Sequence, residues 1–162
     1  MKFAEFHAGK IIEAGPYLVD EEEMLRFAKA YDPQWFHVDP KTAAEGRYGG
    51  LIASGWQTCA IGMRLAVDSV LIGSETVGSP GVADIKWPNP VRPGDRLTLR
   101  AEVLETRRSK SQPDLGIMRW RWRLLNQHGQ DVLESEATSL FDLSPKLEDP
   151  WRVEETRAPS IP

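Results

Sequence analysis

The sequence predicts an α+β protein in which an antiparallel sheet buries one face on a single long helix. Three observations carry that expectation. Leu97, Leu99, Ala101 and Val103 alternate with Thr98, Arg100 and Glu102, and Met118, Trp120, Trp122 and Leu124 alternate with Arg119, Arg121 and Arg123; a period of two is the mark of a half-buried strand. Leu133, Ser135, Ala137, Ser139 and Phe141 repeat the pattern, after a hairpin connection at Asn126-Gln127-His128-Gly129-Gln130. Finally, the stretch from Gly55 to Ile72 is apolar around nearly its whole circumference, as expected of a helix buried on all sides. At 1.5 Å per residue it would be about 27 Å long.

The remaining elements follow in chain order. Lys10 to Ala14 reads as a short strand ended by Gly15-Pro16. Asp20 is an N-cap, with Glu23 three residues later completing a capping-box pattern and three glutamates at the positive end of the helix dipole. Met24, Phe27, Ala28 and Tyr31 form that helix's apolar face. Pro33 disfavours helical geometry at Asp32, so the helix ends there. Asp39 caps a further helical turn with Pro40 at its first position. Within the long helix, Arg64 and Asp68 are four apart and pair on one face. Cys59 is a small core residue, since no base stands near it in sequence. Residues 73 to 81 hold three glycines, two serines and a proline and read as a loop. Residues 144 to 162 hold four prolines and mixed charge and read as an extended tail, with Trp151 as its anchor.

Length and composition exclude several classes of function. A chain of 162 residues is one domain with a sizeable core. A net charge of −4 offers no basic field for nucleic acid or an anionic membrane. One cysteine permits neither an internal disulfide nor a multi-cysteine metal site and suits a reducing cytoplasm. Met1 to His7 carries no signal-peptide apolar core. The longest apolar stretch, residues 59 to 72, is too short to span a bilayer and contains Arg64 and Asp68. Cytoplasmic residence is therefore expected.

The segment that carries chemistry is Tyr31-Asp32-Pro33-Gln34-Trp35-Phe36-His37-Val38-Asp39-Pro40. Five extended residues span about 17 Å, so the loop must curl if Asp32 and His37 are to reach one small molecule. An Asp and a neutral His sharing a water form an acid/base pair suited to pH 7, and Trp35 and Phe36 would exclude bulk solvent. The bland alternative is that Asp32 only ends a helix and His37 is packed. A metal is not expected, because His7, His37 and His128 have no ligand spacing around them.

After Asp39 come Ala43-Ala44, then Arg47-Tyr48-Gly49-Gly50, then Ser54-Gly55 before the long apolar helix. This order resembles the hydratase motif of the MaoC-like dehydratases, which include the (R)-specific enoyl-CoA hydratases. Trp87-Pro88-Asn89-Pro90-Val91-Arg92-Pro93-Gly94-Asp95 resembles the Pro-Val-x-Pro-Gly-Asp signature of the same family. The resemblance implies a hotdog fold, a curled antiparallel sheet wrapped around a long central helix, as one domain over residues 1–143. It also implies a homodimer or higher homo-oligomer with the active site near the subunit interface.

For chemistry the resemblance implies addition of water to, or its removal from, the 2,3-bond of an acyl thioester carried on CoA or a carrier protein, with no cofactor beyond that thioester. Asp32 would activate the water and His37 would be its acid/base partner. A backbone N–H at Gly55 or Trp56 would receive the charge that develops on the thioester oxygen. Ser54, Trp35, Arg47 and Arg92 complete the expected substrate-binding set, with Trp35 and Trp56 narrowing the acyl pocket. Arg107-Arg108-Ser109-Lys110 is a further phosphate candidate, against the alternative of a solvated edge. Two positions depart from the family pattern: Pro33-Gln34 replaces the usual Asn-Pro, and Ser54 replaces a His. A hotdog thioesterase and a non-catalytic acyl-CoA-binding subunit are the alternative readings.

Overall fold

The structure, a computed structural model, describes residues 1–144; the tail expected beyond Ser144 and its Trp151 lie outside the described residues. Strand β1 (Ile11–Leu18) leads to helix α1 (Glu21–Tyr31), the single turn α2 (Trp35–Val38), α3 (Pro40–Glu45) and the central helix α4 (Gly55–Ala66). A π-helical turn, Val67–Leu71, extends α4. Four strands follow: β2 (Thr76–Lys86), β3 (Arg96–Arg108), β4 (Leu115–Leu125) and β5 (Asp131–Asp142). The sheet order is β1-β3-β4-β5-β2, antiparallel throughout. The sheet curls around α4, which touches β1, β3 and β5. This is a hotdog fold.

The alternating residues of β3, β4 and β5 behave as their period requires. Leu97, Leu99, Val103, Met118, Trp120, Leu124 and Phe141 are buried in one cluster facing α4. The opposite face carries cross-strand ion pairs: Arg121 and Arg119 both reach Glu136, at 2.9 and 3.0 Å. Gly62 of α4 packs on the Trp122 ring and Leu133, which lie 3.5–3.6 Å from where a Cβ would stand. The two N-caps form as read, but the capping box does not close, because the Glu23 carboxylate accepts from Tyr17 Oη and not from Asp20 N. Asp20 accepts from Glu23 N at 2.9 Å, Asp39 from Lys41 N and Thr42 N, and Arg64 pairs with Asp68 at 2.6 Å.

Four further local expectations are corrected. Strand β1 does not stop at Gly15-Pro16 but passes through it, with a register shift between Ala14 and Tyr17. An edge strand tolerates a proline at such a bulge. Only glycine fits at position 15, where φ is +119° and a Cβ would stand 2.7 Å from Leu97 O. Residues 76 to 81, expected as loop, begin β2, whose pairing to β5 is broken by three register shifts. Third, α4 is not covered on all sides: Trp56, Ala60 and Met63 are exposed, because the sheet lies against one side of the helix only. Tyr31, expected on the apolar face of α1, is 77% exposed and stacks on Phe27 at 5.1 Å. No helix among the described residues is long and apolar enough to cross a membrane.

Candidate active site

The site is built where α1, α2 and the N-terminus of α4 meet. Pro33 stops α1, leaving Asp32 as its C-cap with its N–H on Ala28 O at 2.9 Å. Gln34 N donates to Asp32 O at 2.8 Å, and His37 N donates to Gln34 O at 2.8 Å. These two bonds fold the Asp32–His37 link into a turn followed by one helical turn. The carboxylate and the imidazole are thereby brought together: His37 Nε2 lies 3.3 Å from Asp32 Oδ2.

Each partner is held from a second direction. His37 is buried, and its Nδ1 lies 2.8 Å from Ile52 O. A carbonyl only accepts, so Nδ1 carries the proton of that bond and Nε2 is the nitrogen that faces Asp32. Ile52 is itself placed by its N–H on Phe36 O at 3.3 Å, and Ala53 N donates to Val91 O at 2.8 Å. Asp32 Oδ2 accepts from Ser54 Oγ at 2.7 Å, and Oδ1 accepts from Gln34 Nε2 at 2.8 Å. These two donors, the Gln34 amide first and the Ser54 hydroxyl second, hold the Asp32 carboxyl below the usual carboxylate range. The nearby His37 adds to that effect, and burial opposes it. The Asp32 side chain is 18% exposed, so water reaches it.

A cleft of about 310 Å³ opens beside His37 and Gly55, with Phe36, Thr58, Trp87 and Asn89 among its walls. Asp32 and Ser54 adjoin His37 but are not among the residues that line the cleft. Ser54 is fully buried, and its oxygen also accepts the Trp56 N–H at 3.3 Å as the N-cap of α4. Its hydroxyl proton is thus directed to Asp32. The Trp56 N–H is likewise engaged by that cap, whereas the Gly55 N–H stands at the first helical position, where no intrahelical acceptor exists.

The aromatic and basic candidates lie elsewhere. Trp35 is 47% exposed, edge-on to Phe36 at 5.3 Å and packed over Gly46; Phe36, not Trp35, forms the cleft wall. Trp56 is 60% exposed and borders a separate apolar cavity of about 190 Å³ with Cys59, Met63 and Trp122. The ring that covers the start of α4 is Trp87. Its Nε1 donates to Gly55 O at 3.0 Å, and a Cβ on Gly55 would stand 2.6 Å from its ring. Glycine at 55 therefore makes room for an indole as well as for any ligand. Arg92 donates to Tyr48 O at 2.6 Å and braces the turn that follows α3, and Arg47 is exposed on that turn; neither lines the cleft. In the 107–110 run, Arg107 pairs with Glu105 at 3.1 Å and Arg108 donates to Pro113 O at 2.8 Å, which is the solvated-edge arrangement. Among the described residues no cluster of three or more His, Cys, Asp or Glu side chains could hold a metal ion. Sequence reasoning missed Gln34 and Trp87 as site residues. The departure from Asn-Pro pointed at the first, and the second opens the proline-rich signature.

Residues 3–119 match the model of the MaoC like domain. The chain belongs to this family. A crystal structure of a MaoC-like dehydratase from Rhodospirillum rubrum superposes with a TM-score of 0.81 at 37% identity, covering 88% of this chain and 97% of that one. The R-hydratase PhaJ1 from Pseudomonas aeruginosa superposes with a TM-score of 0.70 at 25% identity, covering 91% of each chain. A protein of Mycobacterium tuberculosis named 3-hydroxyacyl-thioester dehydratase Z is 37% identical over 88 residues, which is 53% of this chain and 58% of that protein. Within this MaoC-like chain, Asp32, His37 and Ser54-Gly55 all fall inside the matched region.

Proposed function

We propose that this MaoC-like protein is a hydratase/dehydratase acting at the 2,3-bond of an acyl thioester, bound to CoA or to a carrier protein. The observation that carries the reading is the 3.3 Å approach of Asp32 Oδ2 to His37 Nε2 beside a cleft that also exposes Gly55. In the hydration direction, Asp32 takes a proton from water as its oxygen bonds to C3. The electron pair of the double bond moves onto the thioester oxygen, which the Gly55 N–H at the head of α4 stabilises. Asp32 passes that proton to His37 Nε2, 3.3 Å away, and the enolate collapses as C2 takes it from there, which returns both side chains to their starting state; dehydration is the reverse. The chemistry needs no cofactor; the name of the mycobacterial relative supports the thioester substrate class, and that of the Pseudomonas relative supports the reaction type.

The test is turnover of a panel of 2-enoyl-CoA and (R)-3-hydroxyacyl-CoA esters by the purified protein. Loss of the enoyl absorbance without release of free thiol supports the reading. Thiol release would make it a thioesterase, and tight binding without turnover a binding subunit. We also propose that the working form is a homodimer. The edge strand β2 is exposed along nearly its whole length, next to exposed Trp56, Met63, Ile72 and Val82. An open edge beside an apolar patch favours self-association. Sedimentation giving a monomer at micromolar concentration would remove that part.

A further inference from the structure

We infer that Gln34 and Ser54 are positioning residues that clamp the Asp32 carboxylate, one on each oxygen, so that Oδ2 is aimed at His37 Nε2. The inference rests on the hydratase reading for its consequence but not for its geometry. Asp32 sits at the C-cap of α1, where the helix dipole is negative and disfavours a carboxylate. An unrestrained aspartate there would turn outward to water. Two donors from separate parts of the chain hold it inward.

Gln34 is the N-cap of α2, yet its side chain makes no capping bond to that helix. The exposed amide instead turns back to Asp32 Oδ1 at 2.8 Å. Ser54 comes from 22 residues further on, and its single proton goes to Oδ2 at 2.7 Å. That leaves no donor for a substrate carbonyl, so Ser54 acts through Asp32. Because Ser54 Oγ also accepts the Trp56 N–H, the carboxylate is tied to the same turn of α4 that presents Gly55. Base and oxyanion site are thus held in one frame. The titratable group facing Asp32 is His37, from α2; α4 presents only the neutral Ser54 hydroxyl.

The test uses Ser54→Ala, Gln34→Ala and the conservative Ser54→Thr in the full chain. Carboxyl-selective NMR of Asp32 should show its titration midpoint moving to higher pH in both alanine variants and returning in Ser54→Thr. With the preferred thioester, kcat should fall about ten- to a hundredfold with little change in KM, a loss of the size expected when a catalytic group is misplaced. On an Asp32→Asn background neither alanine change should cost anything more. Unmoved midpoints, or an equal further loss on that background, overturn the clamp. If Ser54→Ala fails to fold, the exposed Gln34→Ala alone decides by the same readouts. Absence of turnover in the unsubstituted protein would sink the hydratase reading while the NMR titration still judges the clamp.

Discussion

The concave face of the sheet is closed to solvent, the junction at the head of α4 opens on a cleft, and the two are made of opposite materials. The sheet face is apolar, from Leu97 and Leu99 through Trp120 to Phe141. The junction holds His37 and Ser54, both buried, with Asp32 against them and Thr58 donating to Ser54 O. Apolar packing is non-directional and scales with area. A buried polar cluster is directional: each group must find a partner, and one lost donor leaves another group unsatisfied at about 1–3 kcal/mol. The sheet face therefore supplies stability, and the junction uses some of it to hold groups in a fixed geometry. Substitutions should separate the two.

The widest separation is expected at the junction. Asp32→Asn or His37→Ala should lower turnover of the preferred thioester by about 10²–10⁴-fold, against a stability loss of only about 1–3 kcal/mol from the partners left unsatisfied. Unchanged turnover in both would end the comparison on its functional side. The opposite case is Trp120→Ala, which removes a fully buried ring. It should destabilise the fold by about 3–5 kcal/mol, read by urea unfolding, while the rate per folded molecule stays near that of the parent.

A smaller effect is expected at Gly55→Ala. The added methyl would meet the Trp87 ring at 2.6 Å, so the indole must move off the start of α4. A loss of about tenfold in kcat/KM is expected, of the order that a misplacement near the reacting centre produces, together with a change in Trp fluorescence. No change in either would show that Trp87 yields freely.

The pH dependence of stability gives a finer contrast. The Asp32 carboxyl is held below its usual value in the folded protein, so between the folded and unfolded values the unfolded chain binds more protons. Its contribution is fully present above the ordinary aspartate range, about pH 4, and is lost as pH falls through the folded value. Asp32→Asn should flatten the acid side of a stability–pH curve, and the sheet substitution Trp120→Phe should leave its slope alone. The smallest effect belongs to neither region: Arg64→Ala breaks an exposed i,i+4 pair and should leave melting temperature and turnover within error.

Strands β4 and β2 show how far the fold can be read from residues alone. Both flank β5 and both run antiparallel to it. In β4 the order Met118-Arg119-Trp120-Arg121-Trp122 announces a strand and its buried face. In β2, Gly78, Pro80 and Gly81 read as loop, and no face is buried that could impose a period. Its strand geometry comes from pairing with β5, over bulges that absorb the poor strand formers. At the site, the Asp32 and His37 spacing and the helix stop at Pro33 mark the link as special. Of the two donors that set the carboxylate's environment, Gln34 is local and marked by the departure from Asn-Pro, whereas Ser54 is not visible because it arrives from 22 residues away only after the chain has folded.

Local features were therefore readable from the chain alone: the periods of β3 to β5, the caps Asp20 and Asp39, the end of α1, and a carboxylate and an imidazole on one bent segment. Each depends on neighbours within a few residues, where propensity and sterics act directly. Folding in three dimensions assigned the rest: the β2 edge, the uncovered side of α4, the His37 nitrogen that faces Asp32, and Ser54 as a donor to Asp32. Those depend on which groups far apart in sequence come within about 3 Å of each other, the reach of a hydrogen bond, and no local pattern encodes that distance.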